Sequence, residues 1–372
     1  MRILATGPSG APEELQALRE AGHEVVIGRP LDQPARQAYT EAELIQAARE
    51  ADVILASHLE TISRGVLESS PTLRLVIVPF IGTDKIDVDA ASRLGILVAN
   101  SPTPENFIAV AEATIGLLLI LLKRIKHNEA KLRRGEWAQR HDRGEFLFGK
   151  TVGLVGLGRV GSHVARRLVN WDVRLLAADP YVPQLVAQDL GATLVDLPTL
   201  LAESDVVSLH ASLSDETRGL IGEKELRQMK PSALLINTAR GEMMDEEAVA
   251  RALDEGWIAG AAVDAFVREP LQPTSSLRHV DPERLILTPH NVSHSEAGRR
   301  ANLRLALEQI LAAGRGEPPA CCVNPETIGR WRIPGERDSK TGRSFVLHPS
   351  PPSGERAAVR AERQAARRGL SS

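Results

Sequence analysis

The chain has 372 residues, of which 43% are hydrophobic and 25% charged, and its formal net charge is -3. These values are typical of a globular protein, and the slight negative charge argues against a general binder of nucleic acid or another polyanion. The length exceeds what one hydrophobic core usually organises, so we predict two domains.

Neither the N-terminal sequence nor the cysteine content indicates a secreted protein. The first residues, MRILATGPSG, lack the basic region, long apolar core and cleavage site of a signal peptide, and they predict a first strand and turn. The only cysteines, Cys321 and Cys322, are adjacent and therefore a poor disulfide pair. We expect free thiols and a cytoplasmic location.

Short apolar runs alternate with helical patterns over the first hundred residues. The predicted strands are RILAT, HEVVIG, DVILAS, LRLVIVPF and GILVANS. Strands that are apolar on both faces and separated by helices predict a parallel sheet covered on both sides. A long helix is predicted next, from about Glu105 to Arg134. Its apolar part contains Glu112 and becomes basic too early to cross a bilayer, which favours a buried or subunit-facing helix.

A second alternating series begins at GKTVGLVGLG. The later predicted strands are VRLLAAD, TLVD, DVVSLHA, ALLINTA, GAAVDAF and RLILTPH. The fold class is therefore predicted as α/β with two doubly wound parallel sheets. A helix from about Glu296 to Ala313 follows. Residues 329–372 are rich in Arg, Pro and Ser and predict a disordered basic tail. The tail lacks amphipathic spacing and aromatic interleaving, which favours a solvated extension over a segment that binds nucleic acid or a membrane.

A dinucleotide-binding pattern opens this second series. Gly156, Gly158 and Gly161 form a GxGxxG motif between an apolar strand and an amphipathic helix, and Asp179 closes the next strand. This context predicts that the helix N-terminus binds a pyrophosphate and that Asp179 accepts ribose hydroxyls. The charge of Asp179 would repel a 2'-phosphate and so favours NAD, although Arg174 or another cation folded into the same pocket would favour NADP.

Three later strands end in polar residues suited to acid-base chemistry. Arg240 follows LLINTA, Asp264 and then Glu269 follow GAAV, and His290 follows LILTP. Ligands of open parallel sheets sit outside the carboxyl ends of the strands, so these side chains are expected to converge. Arg240 suits a carboxylate, His290 moves protons near neutrality, and Glu269 would fix the tautomer of His290 and favour its protonated form.

Other interpretations exist for the same residues. Taken singly, Arg240 would pair with a surface carboxylate, Glu269 would be solvated and His290 would cap a loop. Behind a dinucleotide motif, their joint position favours the functional interpretation. The spacing of His290 and His294 also allows a metal site, but the intervening residues do not predict a helix and no acidic third ligand is evident. No metal is therefore predicted.

Residues 50–326 resemble the D-isomer-specific 2-hydroxyacid dehydrogenases, a family that includes phosphoglycerate dehydrogenase and glyoxylate/hydroxypyruvate reductase. The similar segments are DKIDVDAASRLGILVANSP, VAEATIGLLL, GKTVGLVGLGRVG, VVSLHASLSDETRGLI, LLINTARGEMMDEEAV, AAVDAFVREP, LTPHNVSHS and VNPE. The resemblance implies the catalytic residues Arg240, Glu269 and His290. It implies that the cofactor is NAD, held by Gly156, Gly158, Arg159, Val160, Gly161, Asp179, Ala211, Thr238 and Asp264. It implies that Ile81, Gly82 and Arg240 bind the substrate.

The same resemblance implies a domain plan and an assembly. A flavodoxin-like substrate domain would comprise residues 1–103 and 293–328, with a Rossmann NAD domain of residues 104–292 inserted. A homodimer through the helix containing VAEATIGLLLILL is expected. The chain departs from the family at Val78, Pro79 and Phe80 and at residues 291–294, which touch the implied substrate pocket. Neither phosphoglycerate nor glyoxylate is therefore predicted as the substrate.

The predicted activity is reversible hydride transfer between NAD(H) and a small 2-hydroxy or 2-keto acid, completed by domain closure. Two alternatives remain. One is an enzyme resembling formate dehydrogenase, although the histidine partner there resembles a glutamine, unlike Glu269. The other is an NAD-sensing scaffold resembling transcriptional corepressors.

Overall fold

The computed structural model describes residues 1–7, 12–29 and 38–331. Nearly all of the predicted basic tail, from residue 332 on, lies outside the described residues. The chain forms two compact units. Unit 1 contains Met1–Thr103 and the chain from Arg299 on, and unit 2 contains Pro104–Gly298. The return to unit 1 therefore falls a few residues after position 293, where the sequence placed it.

Unit 1 is built on a five-stranded parallel sheet. Its strands are β1 (Arg2–Ala5), β2 (Glu24–Ile27), β3 (Val53–Leu55), β4 (Leu75–Ile77) and β5 (Leu97–Ala99). Their spatial order is β2-β1-β3-β4-β5, and every pairing is parallel. This is the strand order of flavodoxin-like folds, so the predicted first sheet is confirmed.

Helices cover both faces of this sheet. They are α1 (Gln16–Glu20), α2 (Glu41–Ala48), α3 (Arg64–Glu68) and α4 (Val88–Leu94). Local sequence explains some of their ends. The Thr40 hydroxyl accepts a hydrogen bond from Glu43 N (3.3 Å), and the Glu43 carboxylate accepts one from Thr40 N (2.8 Å), which starts α2. Gly95, with φ of 72°, ends α4 in the left-handed conformation.

Residues 299–331 complete the core of unit 1. The last helix packs against the sheet in one hydrophobic cluster through the side chains of Leu303, Ala306, Leu307 and Ile310. Trp331 is also buried in this cluster, and its indole N–H donates to Arg74 O (3.0 Å). The packed chain therefore continues past residue 328, and the first residues assigned to the tail belong to the fold.

Unit 2 is built on a seven-stranded parallel sheet. Its strands are β6 (Thr151–Val155), β7 (Arg174–Ala178), β8 (Ala192–Leu194), β9 (Val206–Leu209), β10 (Leu234–Asn237), β11 (Gly260–Val263) and β12 (Leu285–Leu287). The spatial order is β12-β11-β10-β9-β6-β7-β8. Counted from β6, this is the order 3-2-1-4-5-6 of dinucleotide-binding folds extended by one strand. The predicted Rossmann sheet is confirmed.

Helices again flank the sheet of unit 2. They are α5 (Pro104–Leu122), α6 (Ile125–Arg133), α7 (Arg159–Leu168), α8 (Gln184–Asp189), α9 (Leu197–Glu203), α10 (Glu223–Leu226) and α11 (Glu246–Asp254), followed by α12 (Glu296–Gly314), which continues into unit 1. Asp196 and Asp245 cap α9 and α11 by accepting hydrogen bonds from backbone N–H groups of the first turn.

The single helix predicted from Glu105 to Arg134 is wrong, because the chain turns at Arg124. Arg124 has φ of 51°, a left-handed conformation that separates α5 from α6. Tertiary contacts hold the turn: Arg124 Nη1 donates to His141 O (2.6 Å), and Lys126 Nζ donates to Pro282 O (3.0 Å). No glycine or proline marks this break in the sequence, so the periodicity could not reveal it.

Helix α5 is long and apolar enough to cross a membrane by length and composition, with a mean hydropathy of 1.8. In the fold it packs against α7, β10 and β11. Its buried side chains are Phe107, Ala111, Thr114, Ile115, Leu117, Leu118 and Leu122. These contacts are those of a core helix in unit 2.

Candidate active site

The glycine turn, residues 156–161, joins β6 to α7. Gly156 has φ of 93°, and a Cβ there would lie 2.6 Å from Ala211 N. A Cβ on Gly161 would lie 2.2 Å from Gly156 O, so the helix can approach the turn only without a side chain. At Gly158, by contrast, a Cβ would meet nothing within 4 Å. The turn is thus tight on its protein side and open at Gly158.

This turn fits the pyrophosphate of a dinucleotide. The first N–H groups of α7 have no partners within the helix and carry the positive end of its dipole. The open space at Gly158 lets an anion approach the backbone. Arg159 begins the helix, and its guanidinium lies 5.3 Å from the centre of the Phe107 ring. Val160 packs on the core under α7.

Asp179 lies beside the glycine turn. Its Oδ2 accepts a hydrogen bond from Leu157 N (2.8 Å), and its Oδ1 accepts from Tyr181 N (2.9 Å) and Val182 N (3.2 Å). Arg174, which would favour NADP if it shared this pocket, lies at the opposite end of β7 and pairs with Glu203 (2.7 Å). A five-residue strand separates the two by roughly 16 Å. Arg174 therefore does not share a pocket with Asp179.

Two further predicted cofactor residues follow neighbouring strands. Thr238, after β10, is buried, and its hydroxyl shares a 2.9 Å hydrogen bond with the hydroxyl of Thr114 on α5. Asp264, after β11, is also buried and accepts hydrogen bonds from Thr288 Oγ1 (2.7 Å) and Asn291 N (3.1 Å). Asp264 therefore ties the ends of β11 and β12 together.

Arg240 follows β10 in a turn fixed by a buried amide. Asn237 is fully buried, its Nδ2 donates to Arg240 O (2.8 Å), and its Oδ1 accepts from Ala239 N (3.0 Å). The Arg240 guanidinium itself donates to Ala239 O (2.8 Å). The sequence had not singled out Asn237, although a polar residue ending an apolar strand was a usable signal.

His290 and Glu269 form the expected pair. His290 Nδ1 lies 2.6 Å from Glu269 Oε1, which also accepts a hydrogen bond from Phe266 N (3.1 Å). The side chains are 40% and 31% exposed, respectively. Because the carboxylate accepts a hydrogen bond from Nδ1–H, Nε2 is the nitrogen left to exchange a proton with a ligand.

The backbone at His290 is held in an unusual conformation. Its φ is 51°, in the left-handed region that histidine adopts uncommonly, and its N–H donates to Thr288 O (2.9 Å). Such backbone persists only where surrounding contacts hold it, and the bonds from Thr288 and Asn291 to Asp264 supply them.

The metal alternative gains no support from the geometry. Within residues 1–7, 12–29 and 38–331, no group of three or more His, Cys, Asp or Glu side chains is arranged to hold a metal ion. His294 lies near enough to interact with His290. Partial desolvation, and then the charge of His290, lower the pKa of His294, while Asp264 opposes them.

Ile81 and Gly82 lie in unit 1, in the loop after β4. Asn100 Nδ2 donates to Ile81 O (2.7 Å), and Ser101 N donates to Phe80 O (2.9 Å). The loop is thus fixed by residues that directly follow β5. Both residues are partly exposed.

Three other residues near these turns were not predicted from the sequence. A Cβ on Gly241 would lie 2.1 Å from Phe266 C, and Glu246 accepts a hydrogen bond from Val267 N (2.7 Å). His210 follows β9 and shares a 2.9 Å hydrogen bond with Ser208. Burial lowers the pKa of His210 to about 4, so its ring is neutral beside the glycine turn.

Comparison with known proteins places these features in a family. A family model described as "D-isomer specific 2-hydroxyacid dehydrogenase, NAD binding domain" matches residues 115–292. A glyoxylate reductase of Thermofilum pendens is 38% identical over 312 residues, which cover 82% of this chain and 89% of that protein. A D-3-phosphoglycerate dehydrogenase of Methanocaldococcus jannaschii is 35% identical over 334 residues, 90% of this chain but 61% of that longer protein.

A solved structure agrees with the fold. An NAD-dependent formate dehydrogenase of Staphylococcus aureus in complex with NAD has a TM-score of 0.72 and 28% identity, and the match covers 86% of this chain and 97% of that one. Together with the glycine turn and the paired His290 and Glu269, these matches confirm the resemblance. The chain belongs to the D-isomer-specific 2-hydroxyacid dehydrogenase family, NAD-dependent oxidoreductases that interconvert a 2-hydroxy acid and its 2-keto acid.

Proposed function

We propose that Arg240, His290 and Glu269 carry out reversible hydride transfer on a small 2-hydroxy or 2-keto acid in this protein. The observation that carries the proposal is the 2.6 Å contact between His290 Nδ1 and Glu269. This pair follows β11 and β12, at the same carboxyl edge of the sheet as Arg240 and the glycine turn. Ligands of such sheets bind at that edge.

Unit 2 acts as the NAD domain in this proposal. Backbone N–H groups of Gly158, Arg159, Val160 and Gly161 hold the pyrophosphate, and Gly156 keeps the turn tight enough for this. When bound, NAD(H) supplies or accepts the hydride at its nicotinamide ring. The backbone at Ala211 and the side chains of Thr238 and Asp264 line the rest of the cofactor path.

Asp179 selects NAD over NADP. Its carboxylate has further lone pairs for ribose hydroxyls beyond those that accept backbone N–H groups. A 2'-phosphate at this place would meet the carboxylate charge. The position of Arg174 at the other end of β7 supports the same preference.

Arg240 serves as the anion clamp. Its planar guanidinium matches a carboxylate in a bidentate manner and stabilises negative charge that develops on the neighbouring carbonyl oxygen. We propose unit 1 as the substrate domain, with the backbone of Ile81 and Gly82 as its substrate-binding loop. Asn100 supports this role because it fixes the conformation of the loop.

His290 is the acid-base group. During reduction its Nε2–H donates a proton to the carbonyl oxygen, and during oxidation the neutral ring accepts the hydroxyl proton. Glu269 holds Nδ1–H, orients the ring and stabilises the imidazolium. Hydride removal from formate needs no such proton transfer, so the pair favours a hydroxy acid over formate.

The test is steady-state turnover with NADH and a panel of 2-keto acids that includes glyoxylate and 3-phosphohydroxypyruvate. Changing His290→Asn or Arg240→Ala is expected to lower turnover roughly 100-fold or more on the best substrate, with NADH affinity little changed. His279→Asn and Arg251→Ala, at exposed positions away from this edge, are the matched controls.

Unchanged rates in both site variants would contradict the assignment. Absence of turnover in the wild-type protein on every keto acid, with tight NADH binding retained, would favour the scaffold alternative. Turnover on formate that survives Glu269→Gln would favour the formate alternative.

The proposed assembly is a homodimer, and the proposed location is the cytoplasm. Helix α5 is strongly apolar, and large apolar side chains beyond it are exposed in the isolated chain: Trp137 (82%), Phe146 (73%) and Phe148 (70%). Such a surface is typical of a subunit contact. Light scattering should give twice the 40.3 kDa of one chain, and Trp137→Asp should reduce it. The thiol of Cys322 forms no disulfide in the described part of the chain, which supports a reducing compartment.

A further inference from the structure

The Phe266–Val267 peptide and the amide group directly before it are fixed from three directions. Glu269 Oε1 accepts a hydrogen bond from Phe266 N (3.1 Å), and Glu246 Oε1 accepts one from Val267 N (2.7 Å). Gly241 covers the same peptide, since a Cβ there would lie 2.1 Å from Phe266 C and 2.3 Å from Val267 N. Two successive amides are thus bound by two different carboxylates.

This peptide connects the three groups of the proposed acid-base site. Gly241 directly follows Arg240, so the close packing fixes the turn of Arg240 against the turn of Glu269. Glu269 in turn binds His290 with the same oxygen that accepts from Phe266 N. A shift of the Phe266–Val267 peptide would therefore move Glu269 relative to both Arg240 and His290.

Glu246, which binds Val267 N, lies in the first turn of α11. Asp245 caps the helix by accepting from Glu247 N and Ala248 N (3.0 Å each), so capping does not require Glu246. Burial raises the pKa of Glu246, the bond from Val267 N lowers it, and the charges of Glu242, Asp245 and Glu269 raise it again. Among these acidic neighbours, Glu246 is the residue whose Oε1 accepts the N–H of Val267 (2.7 Å).

We propose that Glu246 is a positioning residue for the His290 and Glu269 pair, acting through its hydrogen bond to Val267 N. The inference rests on the proposed function of that pair. With this bond the turn of Glu269 has one conformation. Without it, the turn samples others in which Glu269 no longer supports the protonated ring of His290.

The experiment compares three variants of the full chain. Glu246→Ala removes the acceptor, Glu246→Gln keeps an oxygen acceptor without the charge, and Glu247→Ala removes an exposed acidic side chain from the same helical turn as the matched control. Each is assayed for the pH profile of kcat/KM in reduction, for NADH affinity and for thermal stability.

Glu246→Ala is expected to lower kcat roughly tenfold and to move the high-pH fall of the reduction rate to lower pH, with NADH affinity unchanged. Glu246→Gln is expected to stay within about threefold of the wild type, since its amide oxygen accepts the same bond. Glu247→Ala is expected to match the wild type in rate and profile.

Three results would overturn the inference. Wild-type kinetics in Glu246→Ala would do so while leaving the proposed function intact, provided that His290→Asn still lowers turnover roughly 100-fold or more. Equal losses in Glu246→Gln and Glu246→Ala would assign the effect to charge instead of position. Equal losses in Glu246→Ala and Glu247→Ala would reduce it to a general effect on α11.

Discussion

The glycine turn and the polar edge (Arg240, Glu269 and His290) lie on one sheet but are built in different ways. The glycine turn is a short continuous stretch whose shape comes from backbone packing, with Gly156 and Gly161 in contact. The polar edge takes side chains from three separate turns, joined by the Glu269 contacts to Phe266 and His290. The shape of the glycine turn therefore depends on the absence of side chains, whereas the polar edge depends on three particular side chains being present.

The largest effect is expected from a methyl group in the glycine turn. In Gly161→Ala the new Cβ would lie 2.2 Å from the carbonyl oxygen of Gly156, so backbone must move. NADH affinity should fall roughly 100-fold, and the melting temperature should drop as well. Fluorescence titration with NADH and a thermal melt measure the two effects.

Gly158→Ala sharpens the same contrast. A Cβ there meets nothing within 4 Å, so the melting temperature without cofactor should stay close to that of the wild type. NADH affinity should still fall roughly tenfold, because the methyl group occupies the approach of the pyrophosphate. Equal melting temperatures in Gly161→Ala and Gly158→Ala would refute this account of the turn.

A smaller kinetic effect is expected at the polar edge from Glu269→Gln. The neutral amide of glutamine binds the Nδ1–H of His290 more weakly than the carboxylate does and orients the ring less firmly, so the reduction rate should fall roughly tenfold. NADH affinity should not change. A kcat equal to that of the wild type would show that Glu269 does not assist His290.

The smallest effect concerns His210 and appears only in acid. Its pKa is lowered to about 4 by burial, so between pH 6.5 and 4 the unfolded chain binds a proton that the folded chain does not. Stability is therefore lost as the pH falls through this window, by at most about 3 kcal/mol, and is unaffected above it. In His210→Gln, urea unfolding at pH 7.5 and 5 should show a smaller difference than in the wild type. An identical difference would mean that His210 does not titrate in this way.

The sequence predicted the parts of this site that depend on local pattern. Gly156, Gly158, Gly161 and Asp179 could be read because their spacing follows from one strand, one turn and one helix. The parallel sheets and the positions of Arg240, Glu269 and His290 at strand ends followed from the same periodicity. These features require no knowledge of distant contacts.

Other features depend on contacts between distant segments, and the sequence could not predict them. The break at Arg124 is held by His141 and Pro282, which lie far along the chain. Glu246 resembles any acidic residue in a first helical turn until its bond to Val267 is seen. A solvated glutamate and a positioning glutamate have the same local pattern.

Trp331 gives the C-terminal region a practical boundary. Its indole is buried in the core against the five-stranded sheet, and the indole N–H donates a hydrogen bond to the carbonyl of Arg74, the residue before β4. A shortened protein meant to dispense with the arginine-rich extension should retain this tryptophan, since cutting before it would leave a cavity in the core of unit 1. Affinity tags and fusion partners are best joined after it.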